Sequence, residues 1–429
     1  MRYNRIIPSL FKKNRQRLLN RLGLESIAVI HSNDEMHRSG DQNFMFRQNS
    51  NLFYLTGISQ EKTILLLNPG HPDEKLREIL FIRKSNKNLE TWVGHKLTQD
   101  EASEISGIKT IKWAEDFDSV LREYLLPNKI IYYDIEEFPK YIPDSPYRSQ
   151  RLLLHLTGNY PLHRFERLFP VISELRMVKE PEETELIKKA CNITRDGFLR
   201  ILSFIRPGLL EYEIEAELTH EFIRQGAEGH AYPPIIATGS NACTLHYIEN
   251  NKVCNPDDMI LMDFGAEYAS YSSDLTRTIP VSGRFSKRQR ELYDATLNVF
   301  KFARSLMKPG TTINKIHKEV CTKWEEEHIR LGLYTKEDVD KGRNNNPLWA
   351  KYYPHGTSHF MGLDVHDTGS KDDILKPGMI LTCEPGIYLP EEKAGIRIED
   401  DILITEDGNI DLMENIPIDP DEIEELMNK

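Results

Sequence analysis

Two stretches of this chain place an acid at the end of a run that belongs in a protein interior. "NPDDMILMDFG" (255–265) and "LKPGMILTCEPG" (375–386) each have a Pro-containing turn, then Met-Ile-Leu, then a carboxylate. Asp263 follows Met259 by four residues and Glu384 follows Met379 by five. Runs this apolar and this short read as buried strands. A buried strand that ends in an unpaired carboxylate is costly, so the fold must supply a neutralising partner. So short a match is either chance or the mark of a domain built from two similar halves.

The partners are sought first in the hairpins that these strands open. A two-residue turn at Tyr268-Ala269 in "MILMDFGAEYASYSSDLTRTI" predicts Asp263 directly opposite Asp274, on one face of the sheet. Like charges that close require protonation, solvation or a bridging cation. The turn is not a favoured hairpin dipeptide, so this register is one choice among several. In "GMILTCEPGIYLPEEKAGIRIEDDILIT" two strands of about 379–389 and 395–405, joined by "PEEK", bring Glu384 near Glu399. Alternation puts Arg397, Glu399 and Asp401 on the face opposite Ile396, Ile398 and Ile402. The plain alternative for that face is a solvated Arg–acid pairing.

Between the two hairpins lies "YPHGTSHFMGLDVHDTG" (353–369), where His355, His359 and His366 fall within twelve positions of a chain that has 14 histidines in 429 residues. Four carboxylates and one or two imidazoles beside buried strands match the needs of two divalent cations. An oxygen-rich set of this kind favours Mn, Fe or Co over a structural zinc, which prefers Cys and His.

The rest of the chain frames this cluster. Before residue 172, "SIAVIHS" (26–32), "TILLLNP" (63–69), "EILFIRK" (78–84) and "KIIYYDI" (129–135) read as strands, with helical stretches at 98–106 and 115–125 between them. That pattern is α/β with a buried sheet. Pro181 with Glu182, Glu183 and Glu185 marks a helix start. Further helices are expected at about 211–225, 286–306 and 311–331, and strands return after 350. We therefore expect an α/β domain at 1–172 and an α+β domain at 173–429. The polar loop 332–353 precedes the histidines, as a surface insertion or as the rim of an entrance.

A net charge of −12 without a long basic run argues against nucleic acid or an anionic membrane as partner. The N-terminal "MRYNRIIPSLFKKNRQRLLN" builds no apolar signal core, and no apolar run approaches a membrane span. Five scattered cysteines fit reduced thiols. A soluble, cytoplasmic protein is expected.

"LMDFGAEYASYSSDLTRT", "HGTSHFMGLDVHD", "CEPGIY" and "GIRIEDD", in that order, resemble the pita-bread metallohydrolases, the superfamily of methionine aminopeptidase, prolidase, creatinase and aminopeptidase P. "FRQNSNLFYLTG" (46–57) and "ELRMVKEPEETELIKKA" narrow the resemblance to aminopeptidase P, with a creatinase-like N-terminal domain and a C-terminal pita-bread domain. The resemblance implies that Asp263, Asp274, His359, Glu384 and Glu399 bind two metal ions, with Asp274 and Glu399 shared and manganese the expected ion. It makes Glu384 the proton carrier and His246 a substrate-side histidine. His355 and His366 would orient substrate and stabilise the tetrahedral intermediate, and Arg397 would hold the ligands in place. Trp92, in "ETWVGHKL", would reach the active site of a neighbouring subunit in a dimer or tetramer; core packing is the other reading of that residue. The implied reaction is hydrolysis of the first peptide bond of substrates with proline second, through a hydroxide that bridges the two metals. Prolidase, restricted to Xaa-Pro dipeptides, is the alternative, and a non-enzymatic peptide-binding relative is the third.

Overall fold

The computed structural model describes residues 2–135, 137, 145–342 and 347–429. The chain divides into two compact units, Asn4–Arg176 and Met177–Lys429, the second including Arg2 and Tyr3.

The first unit is built on a six-stranded mixed sheet. Its strands run in the order Thr110–Trp113, Glu78–Ile82, Ile64–Leu67, Ser26–His31, Ile130–Tyr133, Arg164–Arg167. Ser26–His31 is central and buried at every position, as expected for a strand covered on both faces. It pairs antiparallel with Ile64–Leu67 and parallel with Ile130–Tyr133. Helices Gln99–Ser106 and Phe117–Leu125 stand where the apolar spacing put them. The short outer strands Thr110–Trp113 and Arg164–Arg167 carried no clear apolar run, because both are only part-buried or exposed at the sheet edges.

The second unit repeats one plan twice: two helices, then a hairpin. Helix Pro181–Phe204 opens with Pro at its first position, and the Glu183 side chain accepts the N–H of Glu180 at 2.9 Å. Helix Glu211–Arg224 follows, then the hairpin that begins at Met259–Phe264. Helices Lys287–Leu306 and Ile313–Arg330 precede the second hairpin, which begins at Ile380–Cys383. Within the stretch 332–353, helix Lys336–Gly342 replaces part of the expected loop, and residues 343–346 lie outside the described residues.

The first hairpin corrects the expected register. Its turn is Ala269-Ser270, both with positive φ (54° and 63°), one residue later than Tyr268-Ala269. A turn with φ > 0 at both central residues matches the right-handed strand twist. Asp263 consequently pairs with Thr276, and Asp274 stands diagonally to it. A shift by two residues keeps both carboxylates on one face, whereas a shift by one would have separated them. Close approach of the strands depends on Gly265, where a Cβ would come within 1.7 Å of the Ser273 carbonyl oxygen.

Two outcomes test this packing. Gly265→Ala should cost about 3 kcal/mol or more in chemical denaturation, because backbone must move to admit the methyl group; a loss under about 1 kcal/mol would contradict the close pairing. His328 is fully buried, stacks on Trp324, and is held at about 3 by burial. Above pH 6.5 neither folded nor unfolded state protonates it. Below that the unfolded state takes a proton that the folded state refuses, so stability falls as pH falls, by about 2 kcal/mol at about pH 5. His328→Phe should remove that part of the acid sensitivity, read as a shallower stability-versus-pH slope.

Candidate active site

The second hairpin aligns the remaining acids. Cys383 pairs with Asp400 on one side of a break, and Gly386 pairs with Arg397 on the other, which places Glu384 opposite Glu399. Pro385 has no N–H to continue the ladder at that point. Glu399 is also bridged to Thr276, whose carbonyl accepts its N–H at 3.1 Å. Asp263, Thr276, Glu399 and Glu384 thus form one row across the unit, on one face. The segment 357–361 runs along the far side of Ile380–Cys383: Glu384 N–H donates to the Thr357 carbonyl and Thr382 N–H to the His359 carbonyl. This pairing delivers His359 to the row, with Nε2 3.5 Å from Asp274 and 3.8 Å from Glu384.

These residues line a cavity with Asp263, Asp274, His359, Glu384, Glu399 and Arg397 at its polar end. His246, His355 and His366 line it too. Pro233, Ile235, Leu245, Ile248 and Val365 give it apolar walls. Glu399 is only 2% exposed, and Arg397, Asp400 and Asp401 are buried as well, so the solvated polar face is excluded.

The electrostatics show a site short of positive charge. Burial raises the Glu384 carboxyl to about 7, with Asp274 and Asp263 adding to the rise against His359 and Arg397. Burial and the charges of Asp274, Glu384 and Asp263 push Glu399 well above the usual carboxylate range. Asp263 is raised by burial and Asp274 despite Arg397. Burial opposes charge on His359, but the Asp274 hydrogen bond and Glu384 outweigh it and bring the imidazole to about 9. Four carboxylates therefore compete for one guanidinium and one imidazole. Ligand atoms of Asp274, His359 and Glu399 lie within 4.8 Å of one another, a spacing that a divalent ion would fill. The donor set is oxygen-rich and suits a hard cation.

A supporting layer fixes the acids. Arg397 donates to Asp263 at 2.5 Å, to Thr276 Oγ1 at 3.0 Å and to the Tyr388 hydroxyl at 2.9 Å. Thr276 in turn donates to Glu399 at 2.5 Å. The Tyr232 hydroxyl stands between Asp263 and Asp274, 2.6 Å and 2.5 Å from their oxygens. Both ring nitrogens of His355 are engaged, Nδ1 with the Gly356 carbonyl at 2.8 Å and Nε2 with the Tyr388 hydroxyl at 2.9 Å. The His359 and His366 rings meet edge to face at 4.3 Å.

Sequence reasoning missed Tyr232 and Tyr388. Tyr388 lies four residues beyond Glu384 in an alternating strand, and that parity is a usable signal; nothing in "AYPP" singles out Tyr232. Trp92 does not line the cavity. It is 85% exposed on helix Lys87–Val93, which removes core packing as its explanation.

Comparison with known proteins places the chain in a family. Residues 185–406 match the model of metallopeptidase family M24, and residues 11–132 match that of the aminopeptidase P N-terminal domain. The chain is 36% identical to a Xaa-Pro aminopeptidase of Escherichia coli (strain K12), over 97% of both proteins. It is also 36% identical to a Xaa-Pro aminopeptidase of Haemophilus influenzae, again over 97% of both. The solved structure of Zn-substituted E. coli aminopeptidase P in complex with product superposes with a TM-score of 0.89, at 33% identity and over 99% of both chains. With the family model matched over residues 185–406 and relatives matched over 97% of its length, this protein belongs to metallopeptidase family M24.

Proposed function

We propose that the chain is a metal-dependent exopeptidase that releases the first residue of peptides with proline second. The observation that carries this reading is the row Asp263–Thr276–Glu399–Glu384, flanked by Asp274 and His359, at the floor of an apolar-walled cavity. The substrate class is supported by full-length likeness to proteins named for that activity.

In this reading Asp263, Asp274, His359, Glu384 and Glu399 hold two divalent ions, Asp274 and Glu399 being shared. When bound, the ions supply an acidified water for attack and a Lewis acid for the scissile carbonyl. The chain's residues do the rest. Glu384 takes up the proton of the attacking water and hands it to the leaving proline nitrogen. Arg397, fixed by Asp263 and Tyr388, keeps the acids in place. His366 is exposed beside His359 and aligns the peptide carbonyl. The developing charge falls to His246, while His355, its ring held by Gly356 and Tyr388 and 3.7 Å from Glu384, orients the site beside the substrate. The free amine of the substrate pairs with the acids at the floor and sets the exopeptidase register. An Xaa-Pro bond lacks an N–H, and the ring is apolar, so walls of Pro233, Ile235, Leu245, Ile248 and Val365 suit it.

Manganese is the proposed native ion, and the cytoplasm the proposed compartment. Among the described residues no helix is long and apolar enough to cross a membrane. A homo-oligomer, dimer or tetramer, gives the exposed Trp92 a role: it completes the cavity of a neighbouring copy as a substrate contact.

Mass spectrometry of products from Gly-Pro-Ala and Gly-Pro, with manganese-loaded protein, tests the substrate assignment. Release of glycine from the tripeptide with little from the dipeptide is expected. The reverse would make the chain a prolidase, and cleavage of neither would favour a peptide-binding role. His359→Ala should lose metal and activity together. His366→Ala should retain its metal while turnover falls by about 100-fold or more; loss of metal from that variant would overturn its placement as a substrate residue.

A further inference from the structure

The Asn4–Arg176 unit contains a cavity of its own. It lies at the carboxyl ends of the adjacent parallel strands Ser26–His31 and Ile130–Tyr133, lined by His31, Ser32 and Asp34 from the first and Asp134 from the second. From the central strand the chain builds three strands to one side, then crosses to build two on the other. The crevice outside strand ends at such a reversal is where open α/β sheets take ligands.

The wall contains polar groups that the fold leaves unused. His31 is only 4% exposed, and among the described residues neither ring nitrogen has a hydrogen-bond partner; the buried Ser32 hydroxyl has none either. Burial, with Arg148 nearby, lowers His31 to about 3, so the ring is neutral at ordinary pH and offers one donor and one acceptor. The acids in the wall are already engaged. Asp34 accepts from the Arg148 N–H and from Arg151, both at 2.9 Å, and Asp134 accepts from Asn51 at 2.8 Å. The Arg148 guanidinium differs: it is half-buried and, among the described residues, makes no hydrogen bond or ion pair, although Asp34 and Asp118 lie close enough to favour its charge against burial. It stands in the first turn of helix Arg148–Asn159, whose dipole adds positive potential. Native structures seldom leave buried histidine nitrogens and a desolvated cation without partners.

We propose that this cavity is a second small-molecule site that takes a singly charged carboxylate with an apolar body. One carboxylate oxygen sits on the Arg148 guanidinium, and His31 and Ser32 donate to the other. Met36, Phe44 and Phe46 line the cavity and receive the apolar body. Asp34 and Asp134 in the same wall disfavour a doubly charged phosphate.

Isothermal titration calorimetry on the full-length protein tests this with acetate, phenylacetate, benzyl alcohol and inorganic phosphate. The catalytic cavity is the same in wild type and Arg148→Gln, so a difference between them reports this site alone. Phenylacetate should bind most tightly, weaken about tenfold or more in Arg148→Gln, and leave peptidase activity unchanged in that variant. Ser32→Ala should weaken it by about threefold, and carries the test if Arg148→Gln fails to fold. Equal binding to wild type and variants, binding of phosphate in place of the carboxylates, or no carboxylate binding up to about 10 mM would each overturn the proposal.

Discussion

Four carboxylates held on one face of a buried sheet set the terms for the catalytic unit. Coulomb repulsion at such spacing in a desolvated pocket is large compared with the stability of a whole domain. The arrangement persists because every acid is pinned. Asp263 is held by Arg397 and Tyr232, Asp274 by Tyr232 and through its own N–H to Asp401, Glu399 by Thr276, and Glu384 by the Thr382 hydroxyl at 3.4 Å. The chain thus uses side-chain hydrogen bonds to preorganise a charge that it cannot itself neutralise, which is the state a cation-binding site should occupy when built in advance.

The two halves divide this labour. The first hairpin supplies Asp263 and Asp274, and the second supplies Glu384 and Glu399. Thr276 and Arg397 bind the halves together, since Thr276 sits between Asp263 and Glu399 in the row and Arg397 reaches back to both Asp263 and Thr276. The segment 357–361 then extends the second half by pairing with Ile380–Cys383 and brings His359 to the floor. The catalytic cavity therefore rests on backbone pairing on both sides, with its more exposed histidines, His246 and His366, on turns at the rim.

Much of this was legible in the sequence where periodicity and chemistry agree. The apolar runs before Asp263 and Glu384 fixed the buried strands, and the parity of side chains put the acids on common faces. Parity also explains why the wrong turn still led to the right face: the register moved by two residues, from Asp274 to Thr276 opposite Asp263. The loop "PEEK" brought Glu384 near Glu399, and the backbone register then sets the two directly opposite. The positive φ at Ala269 and Ser270 had no glycine or asparagine to announce it. Tyr232 reaches the acids from a segment whose own pattern is a Pro-rich turn, so only tertiary packing reveals it. The outer strands of the N-terminal sheet were obscured for the opposite reason, because partial exposure relaxes the apolar pattern that marks a strand.

The central claim is that this acid row exists to hold two ions with Asp274 and Glu399 in common. Equilibrium dialysis against manganese followed by elemental analysis measures that directly. The account predicts about two ions per chain in the wild type and a fall below one in Asp274→Asn, because losing a shared ligand weakens both positions. A wild type that takes up one ion or none, or an Asp274→Asn variant that keeps both, would contradict it.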